Sequence, residues 1–506
     1  MAFIGNQIIT LNSLLDLDGQ ELVLDADADT TIHVSTDDQI DFKVAGSDKL
    51  VISSTSHLVT TTAGTSNLVL GENAGNSIAS GGNYNVLIGD EAGTAITTGD
   101  FNVAVGFEAL KTEDAHGKNI AIGYQALKVL DAGSDGFNTV IGYQAGVSMN
   151  TGIVNTIIGH QAGDALTTGN NNVAIGHEAL GAEIQGDKNV AVGVGALQAQ
   201  SNSSDADANN TVIGYNAGLS VTTGVNSILI GAQAGDALTD ADFNVAMGFQ
   251  ALTNDTLGSR STAIGHHALQ TQNFSSATDS HNTAVGFQAG KALTDGQNNT
   301  ILGAEAGLTI TSAASNTFVG HEAGQLTNSD KNTFVGRNAG HNITSGAKNS
   351  ILGRFNGNEN GLDIRTSSNN IVLSDGDGQP RLHYDSAKQN WDLQNGVGIA
   401  TIKTNLTTVP QNTATTIIDA SSLGGNQSER GFYLLTTVRE GASVGTHLSA
   451  IVAVSSDSLV VVYETLRASS GVSLAASGAN FRLTNSSSSV DMHTSLIPIG
   501  IHGGSA

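Results

Sequence analysis

The ten residues NNVAIGHEAL at 171–180 are one of seventeen copies of a single pattern, and no other feature limits the fold so tightly. Aligned on a central glycine, the copies run from Gly71 to Gly353, most often seventeen residues apart. A fixed period of this length marks a solenoid, in which each unit buries its apolar face only by stacking on the next. One rung per repeat is the working assumption, with two rungs per repeat as the alternative.

The columns of the repeat say what each position does. Four residues before the glycine stands Asn in fifteen copies, with Ser227 and Ser261 as the exceptions. Asn tolerates the left-handed region and bonds nearby backbone, so the column is predicted to turn a corner. The two residues before the glycine are apolar throughout, as at Ala174 and Ile175. Neighbours on a strand face opposite ways, so both faces of this strand are apolar. One solenoid covers only one of them. The second calls for another copy of the chain, which predicts a cyclic homo-oligomer, a homotrimer, with these strands along its axis. Three residues after the glycine comes Ala in sixteen copies, Asn356 being the exception, so only a small side chain is admitted there. The next position alternates in pairs, Gly75 and Gly93, then Leu110 and Leu127, and so on to Leu269. Four rungs therefore make a larger unit, and longer loops at 128–137, 198–209 and 270–281 follow its second Leu rung.

Composition agrees, since 4% aromatic and 13% charged residues are too few for ordinary globular cores and surfaces. The absence of cysteine excludes a disulfide framework and thiolate metal sites. A net charge of -26 argues against nucleic acid as a partner, because phosphates are met by Lys and Arg. No charged-then-apolar leader opens the chain and no apolar run approaches membrane-spanning length, so neither export signal nor membrane insertion is expected.

Four segments follow. Residues 1–66 carry short alternating strands between Asp-rich turns and read as a small β domain or cap. Residues 67–357 are the seventeen-repeat shaft, and 358–405 a transition that keeps one degenerate rung at Asn370–Ser374. Residues 406–506 change to longer alternating strands between Gly/Ser loops and predict a β-sandwich, a jelly-roll-like knob. The fold class expected is all-β, a homotrimeric parallel β-roll or β-solenoid shaft with that knob.

The Asn-x-x-apolar-Gly-x-x-Ala pattern, as in NNVAIGHEA, resembles the head repeats of trimeric autotransporter adhesins, which form a trimeric left-handed parallel β-roll. Joined to an opening such as LDGQELVLDADADTTIHVSTDDQIDFKVAG, it is similar to tail-fibre proteins of bacteriophages, especially marine ones. The resemblance implies a non-enzymatic virion fibre, made in the host cytoplasm. It would join other virion proteins through its N-terminal domain and meet a host glycan or protein receptor. A bacterial surface adhesin and a tailspike enzyme that degrades host polysaccharide are the alternatives.

Asp25, Asp27 and Asp29 alternate along one strand face, where they would hold Ca²⁺ or simply form a solvated acidic edge. Asp16–Gly19 and Asp375–Gly378 resemble fragments of calcium loops without the full ligand set. No other cofactor and no catalytic constellation is expected. Rings just after the glycine, among them Phe107, Tyr124, Tyr143, His160 and His177, predict a stacked structural ladder. The next column, including Glu91, Gln125 and Glu178, reads as a polar outer face. Receptor contact is expected in the nearly neutral knob, at Arg430, Tyr433, Arg439 and Arg467, with the loops 421–430, 440–447 and 468–479.

Overall fold

A computed structural model describes residues 22–24, 26, 28–33, 40–45, 47–52, 58–60, 62–202, 207–387 and 390–393, and eight strands between 407 and 501. It divides into two compact units, Met1–Ser280 and His281–Ala506. The first opens with a five-stranded antiparallel meander in chain order, from Leu22–Val23 to Leu58–Thr60, as the alternating opening predicts. Twelve three-residue strands follow, from Leu68–Leu70 to Thr262–Ile264, each pairing in parallel with the next. The register Val173↔Val190, Ala174↔Ala191, Ile175↔Val192 is a shift of one repeat, so each repeat is one rung.

The middle residue of each strand points inward. Ala174, Val140 and Leu229 are wholly buried, while their strand neighbours are half-buried or exposed. The Ala column is buried as expected, with Ala179 at 0% exposure. After it comes a left-handed residue in every rung: Gly93 has φ 57 and Leu180 has φ 56. Leucine there carries about 1–3 kcal/mol of strain, offset by the side chain it places in the core. In the glycine rungs the same volume is filled from three residues further on, by Ile96, Met149, Leu166 and Leu238. In five of the six Leu rungs that later column is released to polar residues, Glu113, Glu183, Gln200, Asp255 and Gln272, all at 0% exposure, while the Leu127 rung keeps Leu130 there. The pairwise alternation is thus a volume exchange inside the tube.

The Asn column is not the corner. The left-handed residue is the one before it, Asn171 at φ 58, whereas Asn172 is buried at 0%. Its carboxamide works between rungs. Asn172 Oδ1 accepts the backbone N–H of Asn189 at 2.9 Å, and its Nδ2 donates to the Gly186 carbonyl at 2.8 Å. The backbone N–H of Asn172 in turn donates to Asn155 Oδ1 at 2.9 Å. The same bond recurs rung by rung, and Ser227 keeps the acceptor by receiving the Asn244 N–H at 3.2 Å. A polar group enclosed in a tube costs free energy unless bonded, and this ladder passes the acceptor bond from member to member, with Asn189 Nδ2 left unpaired among the described residues.

The second unit carries six further parallel rungs, from Thr283–Val285 to Ile371–Ser374, then antiparallel strands Pro380–Asp385 and Asn390–Leu393. The degenerate repeat is a true rung, since Ile371–Leu373 pair with Ser350–Leu352 and Asn370 N–H bonds Asn349 Oδ1 at 2.9 Å. His383 ends the ladder, its Nε2 lying 3.1 Å from Asn370 Oδ1. Beyond residue 406 the strands form antiparallel sheets of five and three. Within the expected loop 468–479, Val472–Ser477 is a strand paired with Asn480–Asn485, because the alternation in VSLAAS outweighs its small residues. The loop stretches 421–430 and 440–446 lie outside the described residues.

Candidate functional site

A feature open to a partner is the outer face of the rung strands. Ile213 is 39% exposed and Leu352 is 56% exposed, in the column next to the core residue. Beside them run the rings. Phe107, Tyr124, Tyr143, His160 and His177 stack in one file with centroid separations of 4.9–5.5 Å, and Tyr143 is 46% exposed. The predicted ladder therefore exists, built by rung spacing. Five consecutive rings across five rungs make a continuous aromatic band on a highly acidic chain.

The polar column beyond the rings is bonded along the axis, with Gln125 Nε2 donating to Glu108 at 2.7 Å and Gln144 Nε2 to Gln125 at 3.0 Å. Glu108 is its most enclosed member, held between the ammoniums of Lys111 and Lys128, each at 2.7 Å. Lys111 first, then Lys128, holds the Glu108 carboxyl down at about 2. A depressed carboxylate stabilises the fold above its unfolded pKa, and that contribution disappears as pH falls through the folded value. Glu108→Gln is therefore expected to melt below wild type at pH 7. The gap should close between about pH 4.3 and about pH 2, and a pH-independent gap would contradict the ion pairs as its source.

Among the sequence-predicted site residues, Asp25 and Asp27 lie outside the described residues, as do Asp16–Gly19 and Arg430. Asp29 is half-buried and takes a bond from its neighbour Thr30 Oγ1 at 3.4 Å. Asp375 is occupied by protein donors: Oδ1 accepts the N–H groups of Asp377 and Gln379 at 3.0 and 2.9 Å, and Oδ2 pairs with Arg381. Those bonds hold its carboxyl below the usual range, the Gln379 amide most of all. Arg439 ends strand Gly431–Arg439 and Arg467 ends Ser458–Arg467. The register places both at one end of the sheet, since His447 pairs with Val438 and with Arg467. Tyr433 sits toward the opposite end, opposite Val452.

Sequence reading missed the buried acids and what they hold. Glu183 Oε1 accepts the N–H groups of Ile184, Gln185, Gly186 and, across the rung, Asn202. Asp255 accepts from Gly258 and Phe274, and Glu113 from His116 and Ala132. In each case the second partner lies nineteen residues on, in a long loop. A buried acid in the first Leu rung thus pins the long loop of the second, which explains why those loops recur where they do. The signal was present in the column three residues after the first Leu of each pair.

One shallow cleft in the second unit is lined by Gly336, Arg337, Gly353, Arg354, Gly376 and Asp377. Arg354 donates there to the Asp377 carbonyl at 2.8 Å, so the cleft is partly closed by its own bond. No described helix is long and apolar enough to cross a membrane.

Fold and surface together define a class, a parallel β-solenoid protein of about 18 turns. No protein-family model, curated protein or solved structure matches the chain.

Proposed function

We propose that this chain is the subunit of a non-enzymatic, homotrimeric fibre of a bacteriophage virion. In this reading residues 1–66 join other virion proteins, the solenoid is the shaft, and residues 406–506 form a β-sandwich knob that meets a glycan or protein on the host surface. The observation that carries it is the doubly apolar strand. One face is sealed in the tube, while the other presents apolar strand residues in rung after rung beside exposed rings, with Tyr215 at 58% exposure. A band of that extent is a contact surface in a protein that stays in solution. Three identical chains around an axis cover it without leaving an open edge. The resemblance to adhesin heads and phage fibres supports the same arrangement.

Native mass measurement is expected to return three chains of 51.4 kDa. Tyr143→Glu with Ile141→Glu should shift that mass toward monomer while the rungs stay folded. A stable wild-type monomer would overturn the proposal at its root. Immunogold labelling of virions, expected on their external fibres, tests the placement separately.

A further inference from the structure

We propose that the cleft at Arg337 and Arg354 binds the carboxylate of an acidic sugar. The two arginines follow the rung glycines Gly336 and Gly353, in the column that holds rings in other rungs, and no other copy of the repeat has Lys or Arg there. Val335 pairs with Leu352 in parallel register, so the two arginines leave neighbouring rungs, one strand spacing of about 4.8 Å apart. With Gly336, Gly353, Gly376 and Asp377 they line a space of about 410 Å³.

The other arginines provide the control. Five arginines lie between residues 22 and 393, and Arg260, Arg365 and Arg381 each pair with an aspartate. Among the described residues, Arg337 and Arg354 are the two that form no ion pair. Arg354 Nη1 donates to the Asp377 carbonyl at 2.8 Å, which fixes the guanidinium while using one of its five N–H donors. Arg337 is exposed. Like charges one rung apart repel each other, and an anion held between them turns that repulsion into attraction. On a chain with a net charge of -26, the two unpaired cations gather at the one cleft.

The lining says which anion fits. A guanidinium fork matches a planar carboxylate with two parallel bonds. Three of the six lining residues are glycines, and nothing lies within 4 Å of where a Cβ on Gly376 would stand, so main chain is open to close approach. The volume falls in the usual range of small-molecule sites, about 300–1,000 Å³, and admits a sugar ring as well as its charged group. Asp377 selects among anions. Its carboxylate repels a doubly charged phosphate more strongly than a singly charged carboxylate, and it accepts the hydroxyl hydrogens of a sugar. The site lies on the shaft, apart from the contact assigned to residues 406–506, and its test needs neither host nor virion.

Full-length protein at low salt is titrated with sodium glucuronate by ligand-observed NMR, with glucose, acetate and inorganic phosphate as the comparison probes. Glucuronate is expected to bind at one site per chain, at least about tenfold tighter than glucose or acetate. Arg337→Gln and Arg354→Gln should each weaken it at least about tenfold, the effect of losing one charge-assisted bond. Arg337→Lys should restore only part of that loss, since it returns the charge without the fork. Arg365→Gln, whose guanidinium is already held by Asp363, is the control and should change nothing. Both test residues are at least partly exposed, and circular dichroism checks that the variants keep their rungs. No glucuronate binding overturns the proposal, as does binding unchanged in the two Gln variants. Glucose or acetate binding as tightly as glucuronate overturns the assigned class, and so does phosphate binding more tightly. If no saccharide binds and both Gln variants change the native mass, the acid that fills the cleft belongs to a second copy of the chain, which also overturns the site.

Discussion

Gly176→Ala is expected to break the stack at the rung it enters. The added Cβ would stand 2.4 Å from the Gly193 carbonyl oxygen and 2.6 Å from its carbon, where no Cβ fits. The obstacle is backbone and cannot swing aside, because Gly193 N–H is tied to Ile175 O at 2.7 Å. The φ of +139 adds strain of its own, since only glycine occupies that region freely. Strain alone accounts for about 1–3 kcal/mol, and the clash adds to it, so the cost should exceed about 3 kcal/mol. Gly133→Ala is the comparison: its φ is +67, but nothing lies within 4 Å of the new atom, so only the milder backbone term remains. Denaturant melting of the two variants reads the difference, and equal losses would mean that the glycine file is not in backbone contact.

Asn172→Ala should be nearly as damaging, for a different reason. It orphans the Asn189 N–H and the Gly186 carbonyl at once, and Asn189 is wholly buried. Each unpaired group costs about 1–3 kcal/mol, so the pair should cost about 2–6 kcal/mol. Asn172→Ser should recover roughly half of that loss, because Ser227 shows that a hydroxyl can take the next rung's N–H in this column. Matching melting curves for the Ala and Ser variants would show that volume, rather than hydrogen bonding, sets the column.

Much of the shaft was readable in advance because its rules are local. The Ala column and the ring file each follow from periodicity and size, and both stand where expected. The Asn column was half legible. Its backbone bonding was anticipated, but the left-handed corner belongs to the preceding residue, Asn171. Of the candidate site, the apolar outer strand face was visible in the alternation of two adjacent apolar columns. The bonds that tie Glu113, Glu183 and Asp255 to the long loops were not, because each acid and its partner are split between two rungs.

What the sequence by itself determined is the period, the strand in each repeat and the apolar character of both its faces. Those depend on residues within a few positions of one another, where strand alternation and the need for a small side chain act directly. Only the tertiary structure decided which groups meet along the axis. Asn172 finds Asn189 seventeen residues on, and Glu113 finds Ala132 nineteen residues on, past a lengthened loop. Rung register brings those partners together, and register is a property of the whole stack. A polar residue in a repeat shows that it must be satisfied, while its neighbour above is fixed only when the coil closes.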